Sequence, residues 1–283
     1  MLGMRNIYDQ ISKATEEANR DLVQDYVGED GLIYCGKCNT RKQSYVKNPF
    51  TGIAEPRFHM CACRVEEYEK EKEQEARREF ERKVQDMRKA GFSSEAMERF
   101  NFRNDDNTDK KLSTVAHNFV DHFEEFFNDG KGLLLHGDVG TGKTFYAACI
   151  ANALIDKGIP CMMTNFIRLI NIVGGMYEGK QNYIDGLNRF RLLIIDDLDI
   201  ERNTDFANEI VYSVIDNRVR AALPMVITTN LTLKEMSAVE EKKKKRIYDR
   251  VLGATIPVKV EGGSRRRQAL NKDYEKYKNM LGI

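Results

Sequence analysis

No apolar run in the chain approaches the ~20 residues that a membrane-spanning helix needs, so a transmembrane protein is not expected. A secretion signal is not expected either: the first residues, MLGMRNIYDQISKATEEANRD, are too polar for one. There is no excess of one charge, since 45 Lys and Arg face 44 Asp and Glu for a net +1. Binding to nucleic acid therefore cannot be argued from global charge and would need a local basic patch. Internal repeats are absent, which excludes solenoids and propellers. A cytoplasmic location is expected, where thiols stay reduced, and this decides how the six cysteines are read. The remaining composition, 31% charged and 41% hydrophobic, is that of a folded globular protein.

The strongest pattern present is Gly137–Thr144, GDVGTGKT, which fits the G-x-x-x-x-G-K-[ST] phosphate-binding loop. The apolar Leu133–Leu135 comes before it and a helical stretch, Phe145–Lys157, follows, so the strand–loop–helix order is right. Gly137, Gly140 and Gly142 let the backbone wrap phosphates closely, with the N–H groups of Asp138, Val139 and Thr141 available to point inward. The helix start adds partial positive charge. Lys143 is placed to reach the β- and γ-phosphates, and Thr144 to ligate Mg²⁺.

Downstream, apolar strands alternate with helical stretches. Strands are expected at Cys161–Thr164, Leu192–Ile195, Met225–Thr228 and Ile256–Val260, with helices over Phe166–Tyr177 and Phe206–Val219. Alternation of this kind implies an α/β fold, a parallel sheet flanked by helices. Ligands in such sheets bind at the carboxyl ends of strands, and those ends carry polar residues here. LLIIDDL delivers Asp196 as a magnesium carboxylate and Asp197 as the group that orients the attacking water. VITTN offers Asn230, or Thr229, to the γ-phosphate or the water. Late arginines lie in RIYDRVLG (Arg246, Arg250) and GGSRRRQAL (Arg265, Arg266, Arg267), where one could supply charge to phosphoryl transfer in a neighbouring copy.

The first part of the chain reads differently. Residues 1–30 suggest an amphipathic helix anchored by Ile7, Ile11 and Leu22. Cys35 and Cys38 form a C-x-x-C knuckle, and Cys61 with Cys63 follow after a gap of twenty-two residues, near the spacing of zinc ribbons. Four thiolates in two pairs suit a closed tetrahedral zinc site, with His59 able to replace one of them. Residues 65–90 hold nine acidic and eight basic residues and neither Pro nor Gly, with a sparse apolar stripe of Ala76, Phe80, Val84 and Met87, and predict a solvated helical linker ended by Gly91. The phenylalanines at 119, 123, 126 and 127 predict one core helix, and Cys149 and Cys161 read as inert core thiols. Three regions are expected: an N-terminal helix and four-cysteine zinc module over 1–64, a charged helical linker over 65–91, and a nucleotide domain over 92–283.

Taken in order, GLLLHGDVGTGKT, LLIIDDLDIERNT, IDNRVR, PMVITTNLTL, RIYDRVLG and GGSRRR resemble the AAA+ ATPases of the DnaC/DnaI helicase-loader type, in the version common in phages and mobile elements of Gram-positive bacteria. The IstB transposition helpers share most of these motifs. The resemblance implies a P-loop AAA+ core and Mg-dependent ATP hydrolysis. It implies that Arg250 is an arginine finger acting across a subunit interface, that Arg266 (or Arg265 or Arg267) is the second sensor, and that Asn230 is the first. It also implies a hexameric replicative helicase as partner, gripped by the cysteine module, delivery of that helicase to single-stranded DNA, and self-association on ATP or helicase binding. A transposition helper acting on target DNA, or a nucleotide-bound adaptor with negligible turnover, stands as the alternative.

Overall fold

The structure is a computed structural model, which describes residues 24–92, 95–106, 108–198, 204–265, 274, 277–278 and 280–283. The chain divides into two compact units between Glu79 and Phe80.

In the first unit, β1 (Tyr26–Val27) pairs antiparallel with β2 (Ile33–Tyr34), and β3 (Gln43–Lys47) with β4 (Ala54–Phe58). The expected helix over 1–30 does not extend to its end: residues 26–27 are strand, and Ile7, Ile11 and Leu22 lie outside the described residues. Tyr26 stacks on Tyr34 at 5.6 Å, a cross-strand pair that favours the extended form over a short polar helix. Among the described residues of this unit little apolar surface is buried: Leu32, Cys35 and Cys61 are inside, while Tyr45, Phe50, Ile53 and Phe58 are exposed. A helix, α1 (Ala62–Gly91), follows. It is solvated over residues 64–79 and carries Arg64–Glu67 and Glu66–Lys70 pairs on its surface, which contribute little in full solvent.

Residues 80–91 of α1 belong to the second unit, where Val84 and Met87 pack on its core. The chain continues through α2 (Glu95–Glu98), α3 (Lys110–Asp121), α4 (Phe123–Asn128), β5 (Gly132–His136), α5 (Lys143–Asp156), β6 (Cys161–Asn165), α6 (Phe166–Gly174), α7 (Lys180–Gly186), β7 (Leu192–Asp196), α8 (Asp205–Arg220), β8 (Met225–Thr229), α9 (Leu233–Ala238), α10 (Lys242–Ala254) and β9 (Thr255–Lys259). The sheet has strand order β6-β7-β8-β5-β9, parallel throughout. Its central strands GLLLH, LLIID and MVITT are buried on both faces, so they read as continuous apolar runs rather than alternating ones. Helices cover each face. Leu134, Leu193, Ile195 and Ile227 point to one core with α6, α8 and α10, whereas Leu135, Ile194 and Val226 point to another with α3 and α5.

Three local results refine the sequence expectations. The phenylalanine run forms two helices, not one, broken at His122. Phe119 and Phe123, on either side of the break, are both buried, with their centroids 5.9 Å apart. The lysine-rich run Lys242–Lys245 opens α10, and Lys243 is tied back to Asp205 at 2.5 Å. Arg218, from IDNRVR, is fully buried at the end of the sheet away from the loop. It donates to the carbonyls of Phe190 at 2.8 Å and Pro224 at 2.7 Å, which open β7 and β8. Burial pulls it down to about 10, still a cation at neutral pH.

Candidate nucleotide site and cysteine cluster

The carboxyl ends of β5, β7 and β8 converge on a cavity of about 420 Å³. Gly137 and Gly142 adopt φ of +147° and +101°, conformations that a side chain rarely takes, and a Cβ on Gly137 would meet the Val260 carbonyl at 2.2 Å. The loop is thereby free to turn into α5, whose first residue is Lys143. Lys143 is buried and donates to the carbonyls of Gly137 and Asp138, both at 2.7 Å, and to Asn230 Oδ1 at 2.9 Å. The Thr141 hydroxyl closes the loop on the Asp138 carbonyl at 2.9 Å.

Thr144 donates to both oxygens of Asp196, at 2.9 and 3.1 Å, and the Thr228 hydroxyl donates to Oδ1 at 2.6 Å. A hydroxyl and a carboxylate meeting on the cavity wall are the hard oxygen donors that a magnesium ion takes, so these residues fit that ion. Asp197 has φ +64°, held there by its N–H on Thr228 Oγ1 at 2.9 Å. A non-glycine residue in this region is uncommon and costs energy, which the strand end supplies. The turn puts the Asp197 carboxylate 3.5 Å from the Asn230 amide, facing the cavity. Between Thr229 and Asn230, Asn230 is the one on the cavity; Thr229 is fully buried and receives the Leu231 N–H.

The cavity gathers Val139, Gly140, Gly142, Lys143, Thr144, Asp196, Asp197 and Asn230. It does not include Arg250, which lies on α10 and pairs with Asp216 of its own chain at 3.1 Å. Arg266 and Arg267 lie outside the described residues. Their neighbour Arg265 lines the cavity, with its N–H on the Gly140 carbonyl at 2.9 Å and its guanidinium over the rings of Tyr146 and Phe145 and against Asp106 at 3.3 Å. Thr228, Met97 and Phe100 also line it; Thr228 lies within VITTN, while Met97 and Phe100 belong to no motif. The one legible cue was that Thr228 precedes the polar strand end.

The second candidate site is in the first unit. Cys35, Cys38, Cys61 and Cys63 bring four sulfurs within 4.8 Å of one another. A tetrahedral zinc with bonds of about 2.3 Å needs sulfurs about 3.8 Å apart, and Cys35–Cys63 at 3.6 Å and Cys61–Cys63 at 3.4 Å are close to that. Thr40 ties the two pairs together: its hydroxyl accepts the Ala62 N–H at 2.9 Å and touches Cys38 Sγ at 3.0 Å. That contact pulls Cys38 down to about 5, while donating its own S–H to Cys61 and then Cys38 pushes Cys63 up to about 12. Four thiolates at this spacing need a cation to exist together, so the donor set fits zinc. His59 points its Nδ1 at the Met60 carbonyl, apart from the cluster. Cys149 and Cys161 are buried among apolar side chains, and burial pushes both thiols up.

Known proteins bear on this arrangement. The replicative helicase loader DnaI of Bacillus subtilis is 27% identical over 203 residues, 66% of this chain and 64% of that protein. The replicative helicase loader DnaC of Escherichia coli K12 is 23% identical over 158 residues, 54% of this chain and 63% of that protein. In each case the match spans somewhat less than two thirds of the relative's length. A crystal structure of DnaI superposes with a TM-score of 0.51 at 24% identity, covering 60% of this chain and 96% of that one, which shows a shared fold. Residues 64–273, about three quarters of the chain, match the family described as IstB-like ATP binding protein, and with its phosphate loop and facing carboxylate in place the chain belongs to that family.

Proposed function

We propose that the chain is a Mg-dependent ATPase that loads a ring-shaped replicative helicase onto single-stranded DNA. The observation that carries the ATPase half is the meeting of Lys143, Thr144, Asp196, Asp197 and Asn230 in one cavity. Lys143, now satisfied by two loop carbonyls and Asn230, would exchange them for β- and γ-phosphate oxygens. That frees the Asn230 amide to hold a water beside Asp197, which orients it for attack on the γ-phosphorus as the bond to the bridging oxygen breaks, giving ADP and phosphate. Bound magnesium would neutralise phosphate charge between Thr144 and Asp196. Arg265, already in the cavity, is placed to act as second sensor. Arg250 would act on the nucleotide of a neighbouring copy, which fits its place outside its own cavity.

The loader half rests on the similarity to DnaI and DnaC. In this division of labour residues 1–64, with zinc held by Cys35, Cys38, Cys61 and Cys63, grip the helicase, residues 65–91 link, and residues 92–283 hydrolyse ATP. A second reading is a transposition helper on target DNA, since the matched family is described as IstB-like and the motifs resemble those of the IstB transposition helpers.

Two experiments test the proposal. Lys143→Ala and Arg250→Ala chains should each be inactive in DNA-stimulated ATP turnover, and mixing them should restore part of it; no recovery would overturn a finger acting between copies. Co-purification with a hexameric replicative helicase should succeed with the full chain and fail with one starting near Gly91. Retention by a transposase instead would favour the second reading, and turnover at background in every condition would leave only an adaptor.

A further inference from the structure

The cavity has two chemically different ends. Gly140, Gly142, Lys143, Thr144 and Asp196 make the polar end, and Met97, Phe100 and Phe145 the apolar one. Met97 and Phe100 belong to a short segment, residues 97–100, that holds no place in the sheet. Asn101 and Asn104 donate to the Arg99 carbonyl within it, and a buried side chain ties it to α5. Asn152, on α5 and 1% exposed, donates from Nδ2 to the carbonyls of Met97 at 3.0 Å and Phe100 at 2.8 Å, and also meets that of Ala148 at 3.1 Å.

An amide can sit either way round, and only one way serves here. The other face of Asn152 receives Arg88 Nη1 on its Oδ1, while Arg88 Nη2 pairs with Asp156 one turn further along α5. A guanidinium has five donors and no acceptor, so it tolerates only the oxygen. Flipping the amide would turn Nδ2 onto Arg88 and Oδ1 onto three carbonyl oxygens. Arg88 therefore selects the orientation in which Nδ2 faces residues 97 and 100. Arg88 itself is fixed, because it lies in the last turn of α1, where a Cβ on Gly91 would already stand 2.3 Å from the Cys161 carbonyl.

We infer that Arg88 and Asn152 are positioning residues for recognition of a nucleotide base: Arg88 sets the Asn152 amide, Asn152 holds residues 97–100, and Met97 and Phe100 present an apolar face to a planar heteroaromatic ring. The inference rests on the cavity being a nucleoside triphosphate site. Phe100 and Phe145, 5.5 Å apart and tilted by 58°, leave a ring-lined face of the kind that flat bases pack against. Base affinity is thereby placed under the last turn of α1 and phosphate affinity under the loop.

The test uses the full chain and displacement of a fluorescent ATP analogue by ATP, by GTP and by inorganic tripolyphosphate. Asn152→Ala should weaken ATP about tenfold and narrow the difference between ATP and GTP, with tripolyphosphate unchanged within about twofold. Asn152→Asp keeps the Arg88 pairing but cannot donate to the carbonyls, and should behave like Asn152→Ala. Arg88→Met should give a smaller loss, about threefold, and Asp156→Ala none. Should Asn152→Ala fail to fold, Arg88→Met, at a partly exposed site, decides alone. Equal weakening of ATP and tripolyphosphate, or unchanged ATP affinity in folded variants, would overturn the inference. If Lys143→Ala leaves both ligands bound as before, the cavity reading itself has failed.

Discussion

The two units reach order by opposite means. Residues 80–283 enclose a five-stranded sheet between two apolar cores, and Leu134, Leu193, Ile194 and Val226 are wholly shielded. Among its described residues the first unit buries little besides Leu32 and two cysteines, and it leaves Phe50 96% exposed. Its fixed point is a set of four sulfurs braced by Thr40. Hydrophobic burial scales with enclosed area and so serves the large unit. A small module lacks that area and needs a staple. The difference teaches that the two halves should answer to different perturbations.

The largest expected effect is on the first unit. Metal chelation, or Cys35→Ser with Cys61→Ser, should unfold it while the thermal transition of the second unit stays in place, because a structural zinc site contributes about 10 kcal/mol or more; calorimetry of the full chain reads both transitions. A single transition that moves as one would break the contrast. Leu134→Ala should do the reverse, costing the second unit about 2–5 kcal/mol and leaving metal stoichiometry alone. Lys143→Ala should fold normally but lose the stabilisation that saturating ATP gives, about 2.7 kcal/mol at a hundredfold excess over Kd. The smallest effect concerns His136, which closes β5 and is buried. Burial, then the Lys259 and Lys143 charges, hold its pKa below the usual 6.5. Its folded form refuses a proton that the unfolded chain accepts, so its contribution is fully present above about pH 6.5 and declines as pH falls below it. Replacement by Gln should flatten that slope in the second unit only, as read by denaturant titration across pH 5–7.

What the sequence made legible was local. The phosphate loop, the LLIIDD strand and the cysteine pairs each declare themselves within a few residues, because the chemistry fixes the spacing. Strand and helix positions in the second unit were readable for the same reason, since buried parallel strands are apolar throughout. What stayed hidden depends on distant partners. Asn152 looks like an ordinary helix residue until Arg88, sixty-four positions earlier, faces it. Met97 and Phe100 are held through their carbonyls, which no residue type announces. The left-handed backbone of Asp197 is imposed by Thr228, thirty-one residues on. Tyr26–Val27 reads as part of a helix until Tyr34 offers it a partner.

One junction has a consequence for how copies could be arranged. Ala254 ends α10 and Thr255 begins β9 with no residue between them, and β9 pairs directly with β5, the strand that runs into the phosphate loop. The arginine-bearing helix and the nucleotide loop are thus two ends of one stiff bracket. If Arg250 of one copy meets the cavity of the next, the rise and turn per copy are dictated by that bracket, and a row of such copies would have a pitch set by the fold of a single chain.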